Sequence, residues 1–202
     1  MGISPKAFAE MSQRLNHPTH ADDEPVQSHT THKAKAPISI LGIDPSLRGT
    51  GFGVIRSLGQ QLTYIDAGTI KCPPKRSHSK CLLEISKTLN DVIERCHPEV
   101  CVVEGLFFAK NLKTALIMGQ VRGACIVTAT RAELPIYEIA ARKVKQAIVG
   151  FGGAQKLAVA KMVERMLSLD HTPSPDAADA LALALAFTLE SQSKIAKPID
   201  QI

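Results

Sequence analysis

The chain predicts an α/β domain on a mixed, five-stranded sheet flanked by helices, and three observations carry that prediction. Apolar and β-branched runs dominate the first third after residue 37, and helix-length amphipathic segments alternate with short apolar runs thereafter. Three successive strands joined by short turns predict an antiparallel meander, and the later strand–helix alternation predicts parallel neighbours. Several of these elements also end or begin in a carboxylate, which is an unusual position for an acid at a core edge.

Taken in order, Ile38–Asp44 is a buried strand, and the loop Pro45-Ser46-Leu47-Arg48-Gly49 turns into a second strand near Thr50–Ser57. Gln61–Ile70 closes the meander as a third strand, and Lys71–His78, with Pro73-Pro74, is a loop. Ser79–Cys96 places Leu82, Leu83, Ile85, Leu89, Val92 and Ile93 at helical spacing. Val100–Glu104 is a short apolar strand suited to the sheet centre. A long helix runs from about Asn111 to Arg131, Pro135–Ala140 is the fifth strand, and a basic helix-loop segment continues to Gly153. Helices over Ala154–Leu169 and Ser174–Ser191 complete the domain, leaving 192–202 as a short tail.

Residues 1–37 are polar and aperiodic, with His17, His20, His29 and His32, and are expected to be a disordered extension. At 202 residues and 45% hydrophobic content, the remainder suffices for one packed domain. The net charge of +5 lies wholly downstream of that extension and favours a polyanionic partner. The five cysteines are scattered without C-x-x-C spacing and read as reduced core residues of a cytoplasmic protein. No signal peptide and no membrane-spanning stretch is evident, so no membrane partner is expected.

Asp44 and Glu104 end the first and fourth strands, while Asp176 and Asp179 lie three apart in the first turn of the last helix. Ser174 and Pro175 suit that helix's N-cap and first position. Acids at a helix N-terminus stabilise its dipole unaided. Together with Asp44 and Glu104, emerging at the carboxyl edge of parallel neighbours, they instead form a candidate divalent-metal site, because hard cations take oxygen ligands. In that arrangement Asp44 bridges, Glu104 and Asp176 flank, and Asp179 is a further ligand or a base that orients water. Two ions roughly 3.5–4 Å apart would suit in-line phosphodiester displacement, and one ion remains an alternative. No G-x-S-x-G elbow, complete Walker A motif or H-E-x-x-H competes with this chemistry.

Long acid-free stretches flank the acids. One carries Lys110, Lys113, Arg122 and Arg131, and the other carries Arg142, Lys143, Lys145, Lys156 and Lys161. Such stretches are the footprint of a phosphate backbone passing over the acids. Phe107 is a candidate base-stacking wedge, Phe108 a core residue and Phe151 a hydrophobic loop anchor. The long helix is apolar on more than one face, with Gly119 and Gly123 four apart, as in either a symmetric dimer or a central buried helix.

The motifs resemble those of the RuvC-type Holliday junction resolvases. They are Leu41-Gly42-Ile43-Asp44-Pro45, Thr50-Gly51-Phe52-Gly53-Val54-Ile55 and Val103-Glu104-Gly105-Leu106-Phe107-Phe108-Ala109-Lys110-Asn111. Gly119-Gln120-Val121-Arg122-Gly123, Ala141-Arg142-Lys143-Val144-Lys145-Gln146, Gly150–Lys156 and Asp176-Ala177-Ala178-Asp179-Ala180 continue the resemblance, in order, over about residues 38–190. It implies a ribonuclease H-like fold, a homodimer, and Mg²⁺-dependent paired nicks across a four-way DNA junction in recombination and repair, with Mn²⁺ as a substitute ion. It also implies a branch-migration helicase partner. The family's catalytic acids fall on Asp44, Glu104, Asp176 and Asp179, its junction-contacting aromatic on Phe107, and its DNA-binding lysines on Lys145 and Lys156; Lys110 and Arg142 are added as DNA-binding candidates. Ser46 stands where the family usually has glycine, Gly105 where a polar residue commonly follows the catalytic glutamate, and residues before Ile38 have no family counterpart. A sugar-kinase or actin-type ATPase also begins with Gly-Ile-Asp, but that fold needs two such domains. A junction binder without catalysis is the non-enzymatic alternative.

Overall fold

A computed structural model describes residues 36–105, 111–192 and 199–202. The disorder expected for the N-terminal extension therefore falls almost wholly outside the described residues. The strands are β1 (Ile38–Asp44), β2 (Gly49–Leu58), β3 (Gln61–Lys71), β4 (Val100–Glu104), β5 (Ile136–Ile139) and β6 (Asp200–Gln201). The helices are α1 (His78–Cys96), α2 (Leu112–Arg131), α3 (Ala141–Val149), α4 (Lys156–Met166) and α5 (Pro175–Gln192).

The sheet order is β3-β2-β1-β4-β5-β6. The first three strands pair antiparallel, β1–β4 and β4–β5 pair parallel, and β6 returns antiparallel to β5. The mixed sheet is as predicted, but it has six strands rather than five. β6 lies in the tail, and two residues are too few to show the alternation that marks a strand in sequence.

Strand alternation sorts the apolar residues into two cores. Leu41, Ile43, Cys101 and Val103 face α1 and α2, whereas Ile40, Val100 and Val102 face α3, α4 and α5. α1 buries Cys81, Ile85, Leu89, Val92, Ile93 and Cys96 along one stripe. It stops where His97 takes a left-handed φ of 46° and its N–H donates to the Ile93 carbonyl, just before Pro98. α2 begins under Asn111, whose side chain accepts from the Lys113 and Thr114 amides. All five cysteines are buried and unbonded, as expected of core thiols.

α5 lies almost on the sheet backbone because the strands beneath it carry glycine. A Cβ at Gly42 would come 2.0 Å from the Ala180 carbonyl oxygen, and one at Gly51 would come 2.0 Å from that of Asp176. Nearly every residue of α5 from Ala177 to Thr188 is buried. Among the described residues, no helix is long and apolar enough to cross a membrane.

Candidate active site

Period-two alternation puts Asp44 on the same face as Ile40, and Glu104 on the same face as Val102, which is the face covered by α5. The parallel register pairs Ile43 with Val103, so the two acids leave the sheet side by side. The first turn of α5 brings Asp176 and Asp179 over them. Asp176 is seated beside β2, where a Cβ at Gly49 would lie 2.9 Å from its Oδ2. The Ser174 carbonyl accepts from the Ala178 amide at 2.8 Å, as an N-cap carbonyl should. Its hydroxyl lies 3.0 Å from that of Thr69, tying the start of α5 to β3.

The electrostatics are those of carboxylates crowded beyond what the fold alone neutralises. Burial raises the Asp44 carboxyl above its ordinary range, and the nearby Asp179 charge raises it further. Burial pushes Glu104 up to about 8, reinforced by the Asp44 charge and by the hydrogen bond between the two carboxyls. A proton shared by neighbouring carboxyls is the expected result. The cation at hand is Lys156, the first residue of α4, whose Nζ donates to Asp179 Oδ2 at 2.6 Å. That contact raises the Lys156 ammonium above its usual value.

Asp44, Glu104, Asp179, Lys145 and Lys156 line a cleft of about 210 Å³. A roomier groove of about 540 Å³ beside β3 contains none of the four acids, so chemistry rather than volume marks the site. No three metal-ligating side chains among the described residues already stand at coordination spacing. The donor set nonetheless fits a divalent cation. Its oxygens are hard ligands, and a dication would relieve the repulsion that the shared proton and Lys156 now offset.

The basic candidates separate. Lys145 lines the cleft, and Lys156 lies within the acid cluster itself. Arg142 is exposed on the outer side of α3, packed over Gly152. Phe107, Phe108 and Lys110 lie outside the described residues. Arg122 does not belong to a DNA-facing stretch: it points to the opposite face of the sheet, largely buried and ion-paired with Glu138. Lys161 is engaged by Glu164 and Thr172. Phe151 is 65% exposed rather than anchored in the core.

One contributor escaped the sequence reading. Arg48, four residues after Asp44, donates to the Pro73 carbonyl at 2.7 Å and to the Arg76 carbonyl at 3.1 Å. Its own carbonyl accepts from the Cys72 amide at 3.2 Å. The loop leaving β1 is thereby fastened to the β3–α1 connection. Nothing in the local sequence reveals a cation whose partners are main-chain carbonyls of another loop.

Residues 40–187 match the family described as crossover junction endodeoxyribonuclease RuvC. A Vibrio parahaemolyticus member is 45% identical over 157 residues, covering 78% of this chain and 90% of the relative. One from Salmonella choleraesuis is 46% identical over 154 residues, covering 76% and 88%. Among solved structures, Thermus thermophilus RuvC in complex with a Holliday junction substrate superposes with a TM-score of 0.75 at 30% identity, covering 82% of this chain and 99% of that one. The yeast mitochondrial Holliday junction resolvase Ydc2, at 9% identity and a TM-score of 0.52, shares the fold. An edge-of-sheet carboxylate cluster, a ribonuclease H-like mixed sheet and this depth of identity place the chain in the RuvC family of crossover junction endodeoxyribonucleases.

Proposed function

We propose that this chain resolves four-way DNA junctions by paired, symmetric, Mg²⁺-dependent nicks. The observation that carries the reading is the convergence of Asp44, Glu104 and Asp179 with Lys145 and Lys156 in one cleft, Asp176 closing its β2 side. Asp44, Glu104 and Asp176 would hold Mg²⁺, one ion or two, with Mn²⁺ as a substitute. Bound there, the cation supplies an activated water and charge stabilisation for the leaving oxygen. Asp179, once Lys156 turns to a phosphate, orients that water or adds a ligand. Lys145 and Lys156 hold the scissile strand, with Arg142, Phe107 and Lys110 as further DNA contacts.

One acid cluster cuts one strand, so symmetric resolution calls for two copies related by a two-fold axis. α2 supports that geometry. Leu112 (73% exposed), Leu116 (60%), Gly119, Gly123 and Val127 (59%) fall on one stripe of α2, opposite its buried Val121, Cys125 and Ala129. Among the described residues, a Cβ on either glycine would meet nothing within 4 Å, leaving room for a second helix. The setting is cytoplasmic recombination and repair, with a branch-migration helicase acting on the same junction.

The test is nicking of an end-labelled synthetic junction with and without Mg²⁺, beside Asp44→Asn. Paired nicks that need Mg²⁺ and vanish in a variant still able to bind support the reading. Tight binding by the unaltered protein with no nicks makes it a junction binder and not a nuclease.

A further inference from the structure

A third acid-free stretch lies between Asp66 and Glu84, and it carries Lys71, Lys75, Arg76 and Lys80. The fold gathers these four cations on the β3–α1 connection and the first turn of α1. Lys75, Arg76 and Lys80 rim a concavity of about 710 Å³, with Pro73 and Ser77 in its wall. Its one carboxylate, Glu84, is taken by Arg76 at 3.1 Å. Lys71, Lys75 and Lys80 are exposed, and none has an ion-pair partner among the described residues. The first turn of α1 contains no acid, and Ser77 makes no side-chain cap bond, so its positive end is left uncompensated as well.

The position of this surface gives it meaning. Lys71 pairs with Gly49, the residue that abuts the Asp176 carboxylate, so the strip begins one strand away from the acid cluster. Arg48 clamps the loop through the Pro73 and Arg76 carbonyls and so holds its backbone in register with Asp44. Lys145 and Lys156 occupy the opposite flank, on α3 and α4. A small anion would need one positive flank. A cation-lined surface on both sides of the scissile position suits a polyanion that continues past it in both directions.

Resting on the junction-nuclease reading, we propose that Lys71, Lys75, Arg76 and Lys80 form a second DNA track, holding the phosphate backbone of the duplex arm that leaves the acid cluster on the β3–α1 side. Neither the motifs that carry the family resemblance nor the cleft includes these residues.

The experiment uses the full chain with Lys71, Lys75 and Lys80 replaced together by alanine, beside the three Lys→Arg replacements. Lys87→Ala, exposed two turns further along α1, is the charge control. Junction affinity is measured across a KCl series in an Asp44→Asn background, and single-turnover cutting is measured at saturating protein. Each lost phosphate contact lowers the salt slope of log K by about 0.9, so the triple alanine variant loses roughly 2 to 3 from that slope. The arginine variant keeps the slope, Lys87→Ala changes it by less than about 1, and the saturated cutting rate stays within about twofold in every variant. On a junction whose arms end beside the acid cluster, the alanine and unaltered proteins bind alike. An unchanged slope in the triple variant overturns the proposal and leaves the surface to an acidic protein partner. A collapse of the saturated rate also overturns it, by making these lysines part of catalysis. Failure of the unaltered protein to bind a junction at all removes the underlying reading, and this track with it.

Discussion

Replacing Glu104 by glutamine should stabilise the metal-free protein at alkaline pH while destroying its activity. Glu104 has an ordinary pKa of 4.5 and is pushed up to about 8 in the fold, first by burial and then by the Asp44 charge. Below about 4.5 the carboxyl is protonated both folded and unfolded and contributes no pH dependence. As the pH rises toward about 8, the unfolded chain releases this proton more readily than the folded one, so stability is lost. Each pH unit in that window costs up to about 1.4 kcal/mol, giving at most about 5 kcal/mol above pH 8, reduced by water reaching the cleft. Glutamine keeps the shape and cannot ionise. Urea unfolding in EDTA from pH 5 to 8.5 should therefore show the unaltered protein losing stability and Glu104→Gln losing much less, the two converging at pH 5. Added Mg²⁺ should restore the unaltered protein at high pH and leave the variant largely unmoved, because the cation replaces the proton only where the carboxylate remains. Parallel pH profiles for the two proteins would refute the claim that these carboxyls are held together against their own repulsion.

Two substitutions test the scaffold instead of the charge. Gly51→Ala places a methyl 2.0 Å from the Asp176 carbonyl oxygen, so α5 must move and carry Asp176 and Asp179 with it. Destabilisation of about 1–3 kcal/mol or more in urea, with cutting lost and junction binding retained, is the expected outcome, and unchanged cutting would show that α5 is not the positioning element. Leu116→Glu puts a charge in the centre of the exposed α2 stripe. Light scattering should find it monomeric and junction assays should find unpaired nicks, whereas a stable dimer would mean that copies meet elsewhere.

Much of this protein was legible in its residue pattern. The short apolar runs Ile38–Asp44 and Val100–Glu104 are enough to put Asp44 and Glu104 at strand ends, and the Pro175 start puts Asp176 and Asp179 in one helical turn. Periodicity also separates β1–β5 from the helices, because it follows from backbone geometry at each residue's own position. Three things needed the tertiary structure. β6 becomes a strand only by pairing with Tyr137 and Glu138. Arg122 and Lys156 both lie in basic stretches, yet one is buried against Glu138 and the other reaches Asp179, since charge alone does not say which way a helix face turns. The Arg48 clamp joins residues 25 and 28 positions apart through main-chain carbonyls, which every residue type carries. The sequence by itself determined which side chains could do chemistry and on which element each would stand. The fold decided their company, because register, close approach at Gly42 and Gly51, and burial are properties of contacts between distant segments rather than of any one of them.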